Sequence, residues 1–231
     1  MKRVYKRAAV RSVEGGWGVA LDGRAMRTPG RNDLVVPSET LAAAIAAEWD
    51  AQRDEVRPAT MPLTRLAATA IDRTSMQRDR VIAETANYAG TDLVCYRADH
   101  PPALAARQQS VWQPLLDWAT LRYDAALAVT SGVIPTVQSA VSLRAFAAAV
   151  AALDDFRLTA VHTLTAACGS LVIALALLER RVDAATAFAA SQLDETFQIE
   201  AWGEDAEAAQ RRRTLAADIE AAARFLSLLG A

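Results

Sequence analysis

The residues best equipped for chemistry lie in the run Leu193-Asp194-Glu195-Thr196-Phe197-Gln198, which continues to Trp202-Gly203-Glu204. Two adjacent carboxylates suggest acid–base work. Neighbours on a helix point about 100° apart, however, so Asp194 and Glu195 do not share a substrate as a paired proton donor and acceptor. If residues 183–203 form one helix, Glu195 falls within roughly 40° of Phe188, Ile199 and Trp202. A carboxylate then stands inside an aromatic and aliphatic stripe. Buried and unpaired, it would cost several kcal/mol or take up a proton, so Glu195 either has a hidden partner or borders a surface that another molecule covers. Gly203 reads as the helix C-cap, which sets Trp202 and Glu204 at an element end within reach of a partner.

The other chemical candidates are weaker. His162 sits among apolar residues and reads as a hydrogen-bonded core histidine; His100, before Pro101-Pro102, reads as a loop residue. Cys95 and Cys168 are the only cysteines and have neither a CxxC nor a zinc spacing, so no disulfide framework is expected. Two isolated thiols fit a reducing compartment, where each packs as a small apolar side chain. Gly15-Gly16-Trp17-Gly18 lacks the Lys-Ser/Thr of a phosphate loop and is turn chemistry. No metal or cofactor is expected.

A chain of 231 residues, 52% hydrophobic and with a formal charge of −2, can build one large or two small cores. Near-neutral charge argues against nucleic acid as a partner, and Lys2-Arg3, Lys6-Arg7 and Arg211-Arg212-Arg213 read as solvated charge. The basic N-terminus lacks the apolar core and small-residue cleavage site of a secretory signal, so cytoplasm is the expected location. Residues 158–178 carry no formal charge and are long enough to cross a bilayer. His162, three threonines and Ser170 dilute that stretch and no aromatic belt flanks it. A helix buried at the centre of a bundle is the better reading, without stable membrane insertion.

Residues 4–37 have a short β-like pattern, and Asp22-Gly23 marks a type I′ hairpin because both central positions must tolerate positive φ. Ser38 offers an N-cap to a helix running to about Arg53, and Pro62 opens a second helix toward Tyr88. Residues 91–96 fit either strand or loop. Beyond Pro102 the period is helical: Leu104, Val111, Leu115, Trp118 and Leu121 line one helix, and others cover 142–153, 158–179, 183–203 and 205–229. Within the third, Gly169 and Ser170 suggest a close helix crossing. The expected class is α+β: a small antiparallel β-rich part with one helix (1–57), then a larger helical bundle (58–231).

The ordered set Trp17-Gly18-Val19, Leu21-Asp-Gly-Arg24, Thr28-Pro29, Glu48-Trp49, Gln52, Met61-Pro-Leu-Thr64, Ala70-Ile-Asp72, Thr91-Asp-Leu-Val-Cys-Tyr-Arg97, Gly169-Ser170 and Asp194-Glu195 with Phe197-Gln198 and Trp202-Gly-Glu204 resembles the assembly chaperones of the F1-ATPase α subunit. The resemblance spans nearly the whole chain. It implies a chaperone that binds unassembled α subunit, masks its subunit interface and passes it to β without hydrolysing ATP, and that is monomeric when free. It also implies partner contacts at Glu195, Asp194, Gln198, Trp202 and Gly203. The run Gly203-Glu-Asp-Ala206 departs from the family pattern, so the acidic cluster past Glu204 receives no role. Eukaryotic members carry a targeting extension not seen here, which points to a bacterial cytoplasmic form. Two alternatives remain: a small-molecule enzyme using Glu195 as acid or base, and a helical scaffold in which Glu195 is structural.

Overall fold

The computed structural model describes residues 2–132 and 136–230. Strands β1 (Ala8–Val13), β2 (Gly16–Leu21) and β3 (Arg24–Ala25) form an antiparallel meander, and β4 (Val35–Val36) also pairs with β2. The β2–β3 turn forms as expected: Asp22 and Gly23 have φ of 48° and 81°, and Leu21 pairs with Arg24. The Ser38 hydroxyl caps α1 (Glu39–Asp50) by accepting the Leu41 N–H at 3.1 Å. Leu41 and Ile45 on that helix are fully buried. Tyr5, Val56 and Met61 form a further apolar cluster beside Trp49.

Helix α2 (Pro62–Thr69) starts with proline at its first position, where no N–H is needed. Its free N-terminal amides are taken by one side chain: the Glu48 carboxylate accepts the N–H groups of Leu63 and Thr64, both at 2.8 Å, and the Thr64 hydroxyl at 2.7 Å. The expected single helix from Pro62 toward Tyr88 is interrupted. A π-helical turn at Ala70–Thr74 and a 3₁₀ turn at Ser75–Gln77 precede α3 (Arg78–Asn87). The π turn presents Asp72, whose carboxylate accepts the Thr28 hydroxyl (2.6 Å), the Gly30 N–H (2.8 Å) and the Asn32 amide (2.9 Å). Burial works to raise the pKa of Asp72, but these three donors outweigh it and hold the group below the usual carboxylate range.

Residues 91–96 resolve into a 3₁₀ turn (Leu93–Cys95) and a short strand, β5 (Tyr96–Arg97). Helix α4 (Pro102–Tyr123) follows, and then β6 (Thr130–Ser131), which pairs in parallel with β5. Within α4, Trp112, Leu115 and Leu116 are buried; Leu121, expected on the same inward stripe, is 87% exposed. Helix α5 (Ala140–Ala151) comes next. The apolar run then departs from expectation, forming two helices, α6 (Asp155–Cys168) and α7 (Leu171–Leu178). Gly169 turns with φ of 64°, Ser170 caps α7 through the Ile173 N–H, and the Gly169 carbonyl accepts the Leu93 N–H at 3.1 Å. The small pair is therefore a break rather than a crossing point. No helix of the described residues is long and apolar enough to cross a membrane.

Helix α7 is buried from Leu171 to Leu177 and neighbours α4 and α8 (Ala184–Ser191). Its amino end is held by Asp92, a fully buried carboxylate whose oxygens accept the Val94 and Val172 N–H groups at 3.2 and 3.0 Å. Helices α9 (Leu193–Trp202) and α10 (Ala206–Leu228) complete the chain.

Contacts divide the described chain into two compact units: residues 1–78 with 154–160 and 224–231, and residues 79–153 with 161–223. This partition differs from a single cut after residue 57. Residues 58–78 fold with the β-rich unit through the Glu48 and Asp72 bonds, and α6 and α10 each divide their length between the units. The class is α+β, an antiparallel N-terminal part followed by a mainly helical remainder.

Candidate functional site

The expected helix over 183–203 is two helices, because the chain leaves helical geometry at Gln192 (φ −112°, ψ 25°). The break removes Phe188 from the stripe inferred for Glu195. Asp194 and Glu195 fall in the first turn of α9, where the exposed N–H groups of the helix favour negative charge. From that turn the two carboxylates go to different places.

Asp194 is half-buried and faces a polar relay. The Gln108 Nε2 donates to Asp194 Oδ1 at 2.8 Å, and Gln108 Oε1 accepts the Ala98 N–H at 2.7 Å. Gln108 is 1% exposed, so this one amide ties the start of α9 to the residue after β5. Beside it lies Arg97, whose three guanidinium nitrogens are buried without a hydrogen-bond partner and which stacks over the Trp112 ring at 5.1 Å. Burial lowers the pKa of Arg97, while Cys95 and Asp194 act in the other direction. The Trp112 indole N–H is fixed by the Ala190 carbonyl at 2.8 Å. Asp194 thus forms part of the seat of α9.

Glu195 turns outward. It is exposed and makes no hydrogen bond or ion pair among the described residues. Of the apolar stripe it was expected to interrupt, Trp202 is 81% exposed and Ile199 half-buried, and Gln198 is on the surface. Gly203 ends α9 with φ of 85° and gives its N–H to the Ile199 carbonyl at 2.8 Å. These residues line a surface cleft of about 470 Å³ together with Ile199, Leu215, Arg211 and Arg212.

The two arginines escaped notice in the sequence because an Arg-Arg-Arg run reads as solvated charge. Leu215, four residues past Arg211, was the available signal that one face of α10 is apolar. Arg212 is anchored by Glu204 at 3.3 Å and the Thr196 hydroxyl at 3.1 Å, and it lies over Phe188 at 5.4 Å. Arg211 pairs with Glu207 at 2.6 Å. The other charged pair on α9 is Glu200 with Arg107, a two-pronged contact at 3.0 and 2.9 Å.

Both thiols are free and buried. Burial pushes Cys95 and Cys168 each up to about 12, so neither carries useful thiolate near neutrality. His162 bonds the Thr85 hydroxyl through Nδ1 at 3.0 Å, as expected of a packed histidine.

Comparison with solved structures gives the class of protein. A crystal structure of Atp12 from Paracoccus denitrificans is 45% identical, with a TM-score of 0.95 over 99% of this chain and 98% of that one. A mutant of the same P. denitrificans protein gives the same identity and TM-score over 99% and 97%. The α+β fold is that of the Atp12 proteins.

The profile of the ATP12 chaperone protein family matches residues 2–120. The mitochondrial protein atp12 of Schizosaccharomyces pombe is 24% identical over 214 residues, 87% of this chain and 74% of that one. The chain belongs to the ATP12 chaperone protein family, the F1-ATPase assembly chaperones that its motifs resemble. The family match ends before α9, whereas the structural likeness covers it.

Proposed function

We propose that this chaperone holds the newly made α subunit of F1-ATPase until β arrives, with the α9–α10 cleft as its contact surface. The observation that carries this reading is the exposed, unpartnered Glu195 in one cleft with an indole that is 81% exposed. A large aromatic side chain left in water at the end of a well-seated helix is the usual anchor of a protein interface. A ring subunit on its own exposes apolar interface that drives aggregation, and a cover must be displaceable. Each tenfold advantage of β over the chaperone for that surface needs about 1.4 kcal/mol, so competition alone can drive release without nucleotide hydrolysis. The protein performs no catalysis of its own in this cycle, and a bacterial cytoplasmic setting suits its likeness to the P. denitrificans protein.

Capture of purified, unassembled α subunit tests the proposal. Wild-type protein should retain α at micromolar concentration and lose it when β is added. Trp202→Ala should weaken binding by about 2 kcal/mol, roughly thirtyfold. Failure of the wild type to retain α, or retention that β does not relieve, would overturn it.

A further inference from the structure

The charges around the cleft are unevenly satisfied. Every arginine that lines it already has a carboxylate: Arg212 has Glu204, with Thr196 and Gln192 completing its contacts, and Arg211 has Glu207. The remaining acids of α9 are also engaged, Asp194 by Gln108 and Glu200 by Arg107. Glu195 alone faces the cleft without a counter-charge among the described residues. In the free protein water solvates it at little cost. A partner that covers Trp202 and the cleft removes that water, and an uncompensated carboxylate then opposes binding.

We propose that the cleft selects a client segment carrying a lysine or arginine beside an apolar anchor, the cation meeting Glu195 while the anchor packs on Trp202, Ile199 and Leu215. This inference rests on the α-subunit reading above and adds the chemistry of the recognised segment. Neutral apolar surface fills the same space but leaves Glu195 desolvated and alone. Acidic surface adds repulsion. The cleft therefore discriminates against most exposed hydrophobic patches by penalty as well as by attraction.

The test is a charge series at one position, read on full-length isolated α subunit by equilibrium binding. Glu195→Gln keeps the shape and removes the charge; Glu195→Lys reverses it. Both should fold as wild type, because the side chain is exposed and unpartnered. Binding should weaken about tenfold in Glu195→Gln and about a hundredfold in Glu195→Lys, the range of a charged hydrogen bond and its reversal. The gap between wild type and Glu195→Lys should shrink as salt rises. Equal losses in the two variants would make the contact one of shape or neutral hydrogen bonding and overturn the cation. So would a Glu195→Lys protein that binds as well as wild type, or a Glu195→Gln protein with no loss. If wild-type protein itself does not bind α, the proposed function fails, and that is visible before any variant is compared.

Discussion

Gln108→Leu separates the seat of α9 from its outward face. The wild-type amide makes two bonds, to the Ala98 N–H at 2.7 Å and to the Asp194 carboxylate at 2.8 Å, at a side chain that is 1% exposed. A hydrogen bond to a charged group contributes about 1.5–3 kcal/mol net, and leaving a buried donor unmade costs a further 1–3 kcal/mol or so. Leucine has similar volume and recovers about 1 kcal/mol through its apolar surface. The net loss is therefore about 3 kcal/mol, which for a protein of this size lowers Tm by roughly 6–12 °C. Thermal unfolding by circular dichroism measures it, and hydrogen exchange should show the first turn of α9 losing protection. Glu195→Gln, in contrast, should melt within about 0.5 kcal/mol of wild type, because its carboxylate has no partner to lose. A Gln108→Leu protein as stable as wild type, with α9 equally protected, would refute the assignment of Asp194 to positioning. A Glu195→Gln protein that lost several kcal/mol would restore the scaffold reading of Glu195.

Three further outcomes follow from groups outside the cleft. In Gly30→Ala the new Cβ would stand 2.6 Å from Asp72 Oδ1, so the loop must shift and the Gly30–Asp72 bond lengthens; a loss of about 1–3 kcal/mol in urea unfolding is expected. Asp92 is raised to about 6 from 3.8, chiefly by burial, so the folded state holds its proton longer than the unfolded chain. Its contribution to stability is full below about pH 4 and is lost as pH rises through 6, a change on the order of 3 kcal/mol. Asp92→Asn should flatten that slope, and parallel profiles for the two proteins would disprove it. The thiols of Cys95 and Cys168, both pushed up to about 12, should resist a thiol reagent at pH 8 until the protein unfolds.

Local chemistry made much of the fold legible. The Asp22-Gly23 hairpin, the Ser38 cap and the Pro62 helix start each follow from what one or two residues can do with their own backbone. The Gly203 cap and the class α+β were readable for the same reason. Periodicity failed where helices break without an obvious breaker: nothing in Phe188-Ala-Ala-Ser-Gln192 distinguishes a turn from a continuing helix, and the π turn at Ala70–Thr74 accompanies bonds from Asp72 to three donors some 40 residues away. The motif residues Glu48, Asp72 and Asp92 were visible as a pattern, but each serves amides remote in sequence, so their structural work was not.

The same division runs through the site. Sequence alone supplied the residue types on α9 and their helical spacing, and with them the contrast between Asp194 and Glu195. Which carboxylate faces Gln108 and which faces water was settled by the packing of α9 against α4, through an amide 86 positions away in the chain. The charge balance of the cleft likewise depends on which acid each arginine of α10 reaches. Long-range pairing of that kind is set by how helices stack in space, and no local pattern encodes it.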